Sequence, residues 1–221
     1  MTLNVLIGCE FSGVVRESFR RWWFKGADGT VGPCNAWSCD VLPAKDGSPF
    51  HYQEDIFKAL NRQRWDIVVL HPPCTSLCVS GNSTYGAGKP KHAERLRSVE
   101  WTSELWERAC DVCPHVALEN PVGVLPRMAG MKPAQYVHPW QFGHAEQKKT
   151  GLWLHGLPCL EESNNVRAEM EQLPRRERER LHYLPPSADR WAIRSTTYDG
   201  IASAMAAQWG LFVARKYAGV V

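Results

Sequence analysis

Short unbroken apolar runs alternate along this chain with longer amphipathic stretches. Leu3 to Cys9, Asn35 to Cys39, Ile67 to Leu70 and Val116 to Glu119 are apolar runs of strand length. They show little polar alternation, as strands covered on both faces do. Asp66 opens the third of these runs and Pro72-Pro73 closes it, since proline cannot donate to a sheet ladder. Between them, Val14 to Lys25 reads as a helix and Glu54-Asp55-Ile56 opens a short helical stretch. A further helix is expected from about Ala93 to Ala109, and strands at Ala134 to His138 and Thr150 to Leu154. Arg167 to Leu181 reads as a highly charged helix. Gly200 to Lys216 reads as a closing helix with an apolar face of Ile201, Met205 and Leu211-Phe212. Gly26 to Pro33 and Ser80 to Lys91 read as loops. Strands alternating with helices predict an α/β fold with a doubly wound, mostly parallel sheet.

Composition narrows the class further. At 221 residues one domain spanning 1–221 is expected. Its 44% hydrophobic and 22% charged content is that of a soluble globular protein. There is no apolar run of membrane-span length and no secretory leader pattern, so a cytoplasmic protein without a membrane partner is expected. A net charge of +3 permits a nucleic-acid partner only if the basic residues cluster. Eight cysteines at irregular spacing point to reduced thiols rather than a disulfide framework. Cys34 with Cys39, and Cys110 with Cys113 and His115, do not match a standard zinc ribbon. Trp101, Trp106 and Trp209 fall at helical positions and read as core.

The chemistry lies where the runs stop. In an open α/β sheet, ligands sit at the carboxyl ends of the strands. The first run ends in Glu10-Phe11-Ser12-Gly13, a tight turn entering a helix. The second ends in Asp40, and Asp55 follows shortly after. Backbone amides at such a turn, with a carboxylate one strand over to accept ribose hydroxyls, suit a nucleoside-bearing cofactor. Asp40 and Asp55 also suit plain cap or turn roles. Two further runs end in Cys74 and Glu119. A thiol can add to an electron-poor ring carbon while a carboxylic acid protonates or hydrogen-bonds the conjugate ring nitrogen. Cys74 could equally be a small buried hydrophobe, and Glu119 a turn cap.

In sequence order, Phe11 with Gly13, Asp40, Asp55-Ile56, Pro72-Pro73-Cys74 and Glu119-Asn120 resemble the DNA cytosine carbon-5 methyltransferases. Pro139-Trp-Gln-Phe-Gly143, Thr150-Gly-Leu-Trp-Leu154, Gly156-Leu-Pro158, Gly200-Ile-Ala202 and Gln208-Trp-Gly210 look like a compact, phage-encoded branch of that superfamily. The resemblance implies a Rossmann-like methyltransferase fold, S-adenosyl-L-methionine as cofactor, and DNA presenting a flipped cytosine as partner. It implies that Glu10, Phe11, Ser12 and Gly13 line the cofactor with Pro72. It places Asp40-Val41 at the ribose and Asp55-Ile56 at the adenine. Cys74 would attack carbon 6, and Glu119 would contact ring nitrogen 3 and the exocyclic amine.

The departures from the family pattern are specific. Thr75 follows the cysteine where glutamine is usual, and His71 stands where many relatives have a small residue. Gln147-Lys148-Lys149 lies near the usual Gln-x-Arg-x-Arg, so Lys148 or Lys149 would replace an arginine at the base oxygen. The recognition region, at about 155–199, is very small for sequence-specific reading. An enzyme acting on a free pyrimidine nucleotide, and a non-catalytic DNA-binding or anti-restriction protein, therefore stay open beside a restriction-modification role. The charged stretch Arg167 to Arg180 reads as a solvated face, or as a reduced DNA-contacting element aided by Lys148, Lys149, Arg190 and Arg194. Lys89, Lys91, Arg95 and Arg97 could close over a base or a phosphate.

Overall fold

The computed structural model describes residues 2–25 and 31–219. Its main sheet contains β1 (Asn4–Gly8), β2 (Asn35–Asp40), β3 (His51–Gln53) and β4 (Ile67–Leu70). It is completed by β5 (Val116–Pro121), β6 (Gln135–Val137) and β7 (Thr150–His155). The strand order is β3-β2-β1-β4-β5-β7-β6. β7 runs antiparallel to both its neighbours, and the other pairs are parallel. This is the familiar six-strand doubly wound order with one antiparallel strand set between the fifth and sixth. The expected α/β class and Rossmann-like, mostly parallel sheet are what the chain adopts.

The strand side chains sort by parity onto two buried faces. Val5, Ile7, Ile67, Val69, Ala117 and Leu152 enter one core cluster, with helix α1 (Val14–Arg21) and the C-terminal helices packed over it. Leu6, Val68, Leu70, Val116, Leu118 and Trp153 enter the other, beneath α2 (Ile56–Leu60) and α3 (His92–Val112). Burial on both faces is the reason these runs lack alternation. Trp209 is fully buried in the first cluster, while Trp101 and Trp106 pack against the second.

Five elements differ from expectation, one being a short helix, Asn82–Tyr85, inside the predicted Ser80–Lys91 loop. α1 stops at Arg21, and Trp23–Lys25 instead pairs antiparallel with Val31–Pro33. The predicted helix end at Lys25 and part of the predicted Gly26–Pro33 loop are thus a two-stranded ribbon, while 26–30 lie outside the described residues. β3 escaped notice because a three-residue strand owes its existence to pairing with β2 rather than to its own pattern. The charged helix is two short ones, Arg167–Gln172 and Arg175–Arg178. Pro174 disfavours a helical Leu173 and splits them. The closing helix begins at Asp199 and passes through a π turn at Met205–Trp209. Among the described residues, no helix is long and apolar enough to cross a membrane.

Candidate active site at the carboxyl edge

Parallel strands deliver their carboxyl ends to one edge. β7, running the other way, delivers the residues that precede it. Residues after β1, at the end of β2 and after β3 (Glu10 to Gly13, Asp40, Asp55) therefore share an edge with those after β4, within β5 and before β7 (His71 to Cys74, Glu119-Asn120, Lys148). β1 has β2 on one side and β4 on the other, so the topological switch, where ligands of such sheets bind, lies between the two groups. Cys9, just past β1 at this switch, has a left-handed backbone with φ 59°, a conformation that costs a non-glycine residue about 1–3 kcal/mol. Burial pushes its thiol far up in pKa, aided by Asp40 and by the Cys39 thiol.

On one side of the switch, Leu70 pairs with Leu118, which sets His71 beside Glu119. His71 Nδ1 lies 3.1 Å from Glu119 Oε2. The two side chains are only 8% and 11% exposed. His71 Nε2 and Asn120 Oδ1 are buried without a partner. Asn120 Nδ2 donates to the Pro72 carbonyl at 3.0 Å, tying the proline turn to β5. Cys74 then opens a helical turn, its carbonyl accepting from the Leu77 and Cys78 amides at 3.0 and 2.9 Å. Pro72 is buried in this framework, so it braces the cysteine turn and offers no exposed surface to a cofactor.

Arg95 fixes the same turn from below. It is 3% exposed and donates to the Ser76 carbonyl (2.6 Å), the Cys78 carbonyl (3.1 Å) and Asn82 Oδ1 (2.7 Å). The reading of Arg95 as a loop cation with Lys89, Lys91 and Arg97 is therefore corrected. It faces inward on α3, where two carbonyls of the cysteine turn and the Asn82 side chain converge.

Burial pushes the Cys74 thiol above its ordinary value, reinforced by Cys78 and Glu119 and opposed by Lys148. Burial also pushes Glu119 upward, but the His71 hydrogen bond and the Lys148 charge outweigh it, and the carboxyl sits below its usual range. At neutral pH the resting pair is a thiol and a carboxylate. The acid expected to protonate a ring nitrogen carries no proton of its own.

The two lysines before β7 face different surroundings. Lys148 acts on both Cys74 and Glu119 and donates to the Arg194 carbonyl at 3.2 Å. Lys149 is exposed, with Nζ 4.4 Å from the centre of the Tyr136 ring. It is not among the groups that act on Glu119.

Across the switch the expected cofactor residues divide. Glu10 is buried and caps α1: its carboxylate accepts from Val15 N at 2.7 Å, Arg16 N at 3.3 Å and Ser12 Oγ at 3.1 Å. The amides foreseen for a ligand are thus taken up by Glu10 itself. Gly13, with φ 79°, makes the turn, and a Cβ there would collide with the buried Arg16 guanidinium. Arg16 went unnoticed in the sequence. It pairs with Glu17 and Asp46 and donates to Ser38 Oγ at 2.7 Å, pinning the loop beyond Asp40. Asp40 spends one oxygen on the Leu42 amide at 2.9 Å, and burial raises its pKa. Val41 beside it is 71% exposed. Asp55 caps α2 through the Phe57 amide at 2.8 Å and stays exposed. Ile56 is buried beneath Gly8 and cannot line a cofactor. Asp40, Val41, Asp55 and Phe11 remain available on this side.

The 155–199 stretch folds back over the edge. Trp191, on the short helix Arg190–Ser195, packs on Phe11 with ring centres 5.2 Å apart. Arg194 of the same helix receives Lys148. Three of the stretch's arginines are ion-paired, Arg167 with Glu171, Arg175 with Glu179 and Arg180 with Glu146. Cys34 packs in the first core cluster, Cys39 and Cys113 in the second. Burial pushes all three thiols up to about 12. No group of His, Cys, Asp and Glu suited to a metal ion occurs among the described residues. A groove of about 140 Å³ between α2 and α3, lined by Phe57, Leu60, Asn61, Glu104, Arg108 and Val112, touches none of the edge residues.

No protein-family model matches the chain, and no curated protein matches it. Among solved structures it is similar to one from E. coli provisionally described as a DNA modification methyltransferase encoded within prophage Cp. The identity is 14%, the TM-score 0.37, and the match covers 69% of this chain. The chain spans 46% of that structure's length. So loose an overlap adds nothing to what the strand order already shows.

Proposed function

We propose that this chain is an S-adenosyl-L-methionine-dependent DNA cytosine carbon-5 methyltransferase. One observation carries the reading. The thiol of Cys74 and the carboxylate of Glu119, the most specific residues of the family resemblance, stand on neighbouring strand ends in the field of Lys148. Cys74 sulfur adds to carbon 6 of a cytosine turned out of its stack. Glu119 accepts from the exocyclic amine, takes up the proton that the Cys74 thiol releases as its sulfur adds, and passes it to ring nitrogen 3. Lys148, whose charge acts on both Cys74 and Glu119, supplies the cation for the base oxygen. Addition makes carbon 5 nucleophilic, and loss of the carbon-5 proton after methylation lets the thiol depart.

The chain's other half suits the cofactor, with fewer residues than the sequence suggests. Asp40 has one oxygen already committed and the other able to accept from a ribose hydroxyl. Val41 presents an apolar surface, and Asp55 can accept from an adenine amine while capping α2. Bound there, S-adenosyl-L-methionine would supply an electrophilic methyl group. Phe11 would cover it, with Trp191 behind.

The test is covalent trapping. With cofactor present, duplex DNA carrying 5-fluorocytosine forms a complex that survives denaturing gels, because fluorine blocks the final loss of the carbon-5 proton. Absence of any adduct, while small alkylating reagents still modify Cys74, rejects the proposal. Turnover of labelled dCMP without trapping of DNA would favour a free nucleotide as substrate.

A further inference from the structure

We propose that Trp191 is a stacking platform for an unpaired base beside the target cytosine, and that this site takes a single strand of DNA in preference to a duplex. The inference rests on the cytosine-methylating reading above and names the form of nucleic acid that the site binds best.

Trp191 stands at the mouth of the site and is held there. Its ring meets Phe11, from the turn after β1, with centres 5.2 Å apart. Three residues on, the Arg194 carbonyl accepts from Lys148 Nζ at 3.2 Å, and Lys148 acts on both Cys74 and Glu119. The short helix Arg190–Ser195 thus reaches from the cofactor side of the switch to the lysine of the base side. Residues three apart on a helix are neighbours, with about 5–6 Å between their Cβ atoms, so the indole lies within one helical turn of the Lys148 contact. Just past this helix the Tyr198 hydroxyl donates to Glu146 at 2.7 Å and the Gly200 amide to His144 Nε2 at 3.0 Å. Those bonds tie the chain beyond the helix to the segment that carries Lys148. Trp191 is nevertheless 54% exposed, whereas Trp65 and Trp209 are fully buried. Phe11 supports the indole, and more than half of its surface faces solvent.

Charge selects the occupant. Residues 155–199 carry seven arginines against eight acidic residues, and no lysine. Arg167, Arg175 and Arg180 are already ion-paired. A duplex is gripped through arrays of phosphate contacts, and a stretch without cationic excess cannot supply many. The half-buried Arg190 and Arg194 sit on the helix of Trp191. Neither forms an ion pair among the described residues. An open aromatic face with a few neighbouring cations binds single strands: the ring takes a base and the cations take the adjoining phosphates. Every base has a π-face, so such a platform works without sequence-specific reading, and so small a recognition region suffices for it. A strand without a complement also spares the cost of unpairing the target cytosine.

Fluorescence anisotropy reads the binding without any methyl transfer, using a labelled cytosine-containing oligonucleotide alone and annealed to its complement. The wild type binds the single strand about tenfold more tightly than the duplex. In Trp191→Ala the single-strand Kd rises by about 10–100-fold, as removal of a stacking partner predicts, while the duplex Kd is little changed. Trp191→Phe keeps most of the single-strand affinity. A wild type that binds the duplex as tightly as the single strand overturns the proposal, and so does Trp191→Ala with wild-type single-strand affinity. A loss in Trp191→Ala confined to S-adenosyl-L-methionine affinity also overturns it, since the indole would then serve only to back Phe11. A second measurement uses no variant. Irradiating the wild type on a single strand with 5-iodouracil next to the cytosine should cross-link Trp191, as mapped by mass spectrometry. Cross-links confined to other residues overturn the proposal. If 5-fluorocytosine is trapped in neither form of DNA while the single-strand preference and the cross-link persist, the methylating reading falls and the platform stands.

Discussion

Each edge of the sheet holds a buried histidine beside an acid, and the two pairs obey opposite rules. At the amino edge Asp66 accepts from Asn4 N at 2.8 Å and from the Tyr217 hydroxyl at 3.0 Å. His115 Nδ1 lies 2.8 Å from the Asp66 carbonyl, and its Nε2 lies 3.2 Å from Lys216 Nζ. Both ring nitrogens and both carboxylate oxygens are in use. At the carboxyl edge His71 Nε2 and Asn120 Oδ1 are buried with nothing to bond to, and Cys9 nearby sits in a strained backbone. Each unpartnered buried group costs about 1–3 kcal/mol. A fold that closes its polar network at one edge and leaves it open at the other stores that cost where a ligand can repay it. The amino edge holds the C-terminal helix to the sheet, and the carboxyl edge is left ready for chemistry.

Substitutions at the two edges should separate these roles. Cys74→Ser has the largest expected effect: methyl transfer falls by at least about a thousandfold, because an alcohol is a far weaker nucleophile. The urea midpoint moves by less than about 1 kcal/mol in stability. Asp66→Ala should do the reverse. It strands the Asn4 amide and the Tyr217 hydroxyl and removes the charge they face, lowering stability by about 2–4 kcal/mol. Methyl transfer per folded molecule is retained. If Asp66→Ala abolished turnover at full folding, or Cys74→Ser unfolded the protein, the division between edges would be wrong.

How much of this was legible in the sequence follows from the same geometry. Ile67–Leu70 announced itself through an unbroken apolar run shut by two prolines, and the strand ends at Asp40, Cys74 and Glu119 were visible as abrupt polar stops. The amino-edge network was not visible, because Asp66 meets Tyr217 only after the chain has wound the full sheet. His71 stood out only as a departure from a familiar pattern. Its partner depends on β4 lying next to β5, which no local signal states. The different surroundings of Lys148 and Lys149 depend on the Arg194 carbonyl and the Tyr136 ring, both set by long-range packing that no local signal states. Arg16 drew no reading and Arg95 read as a loop cation, since a basic residue in an amphipathic helix gives no local sign of the oxygens it will meet. Pro174 was a signal that was present and underweighted.

A smaller effect tests the cofactor side of the switch. Asp40→Ala should weaken S-adenosyl-L-methionine binding by about 1–3 kcal/mol, the cost of losing contacts to a buried polar group, with calorimetric titration as the readout. Glu10→Ala should instead lower stability through the freed end of α1. Unchanged affinity in Asp40→Ala would move the ribose away from β2. A large affinity loss with intact stability in Glu10→Ala would return the helix amides to the ligand.

The smallest expected effect is a pH dependence that assigns each edge its own window. Burial, helped by Lys216, holds His115 below its ordinary 6.5 against the pull of the Asp66 carbonyl. The unfolded chain therefore binds this proton first as pH falls. The stability His115 contributes is fully present above about 6.5 and is lost as pH drops toward its folded-state value. Glu119, held below its ordinary 4.5, contributes stability that is present above about 4.5 and lost only as pH falls through its lower folded value. Acidification should thus loosen the amino edge before it discharges the carboxyl edge. Lys216→Met removes the neighbouring cation and lets His115 rise toward its ordinary value, so urea midpoints at pH 7 and pH 5.5 should lie closer together in the variant than in the wild type. Equal separation in both would mean that Lys216 does not set the protonation of His115, and the closed network at that edge would reduce to packing.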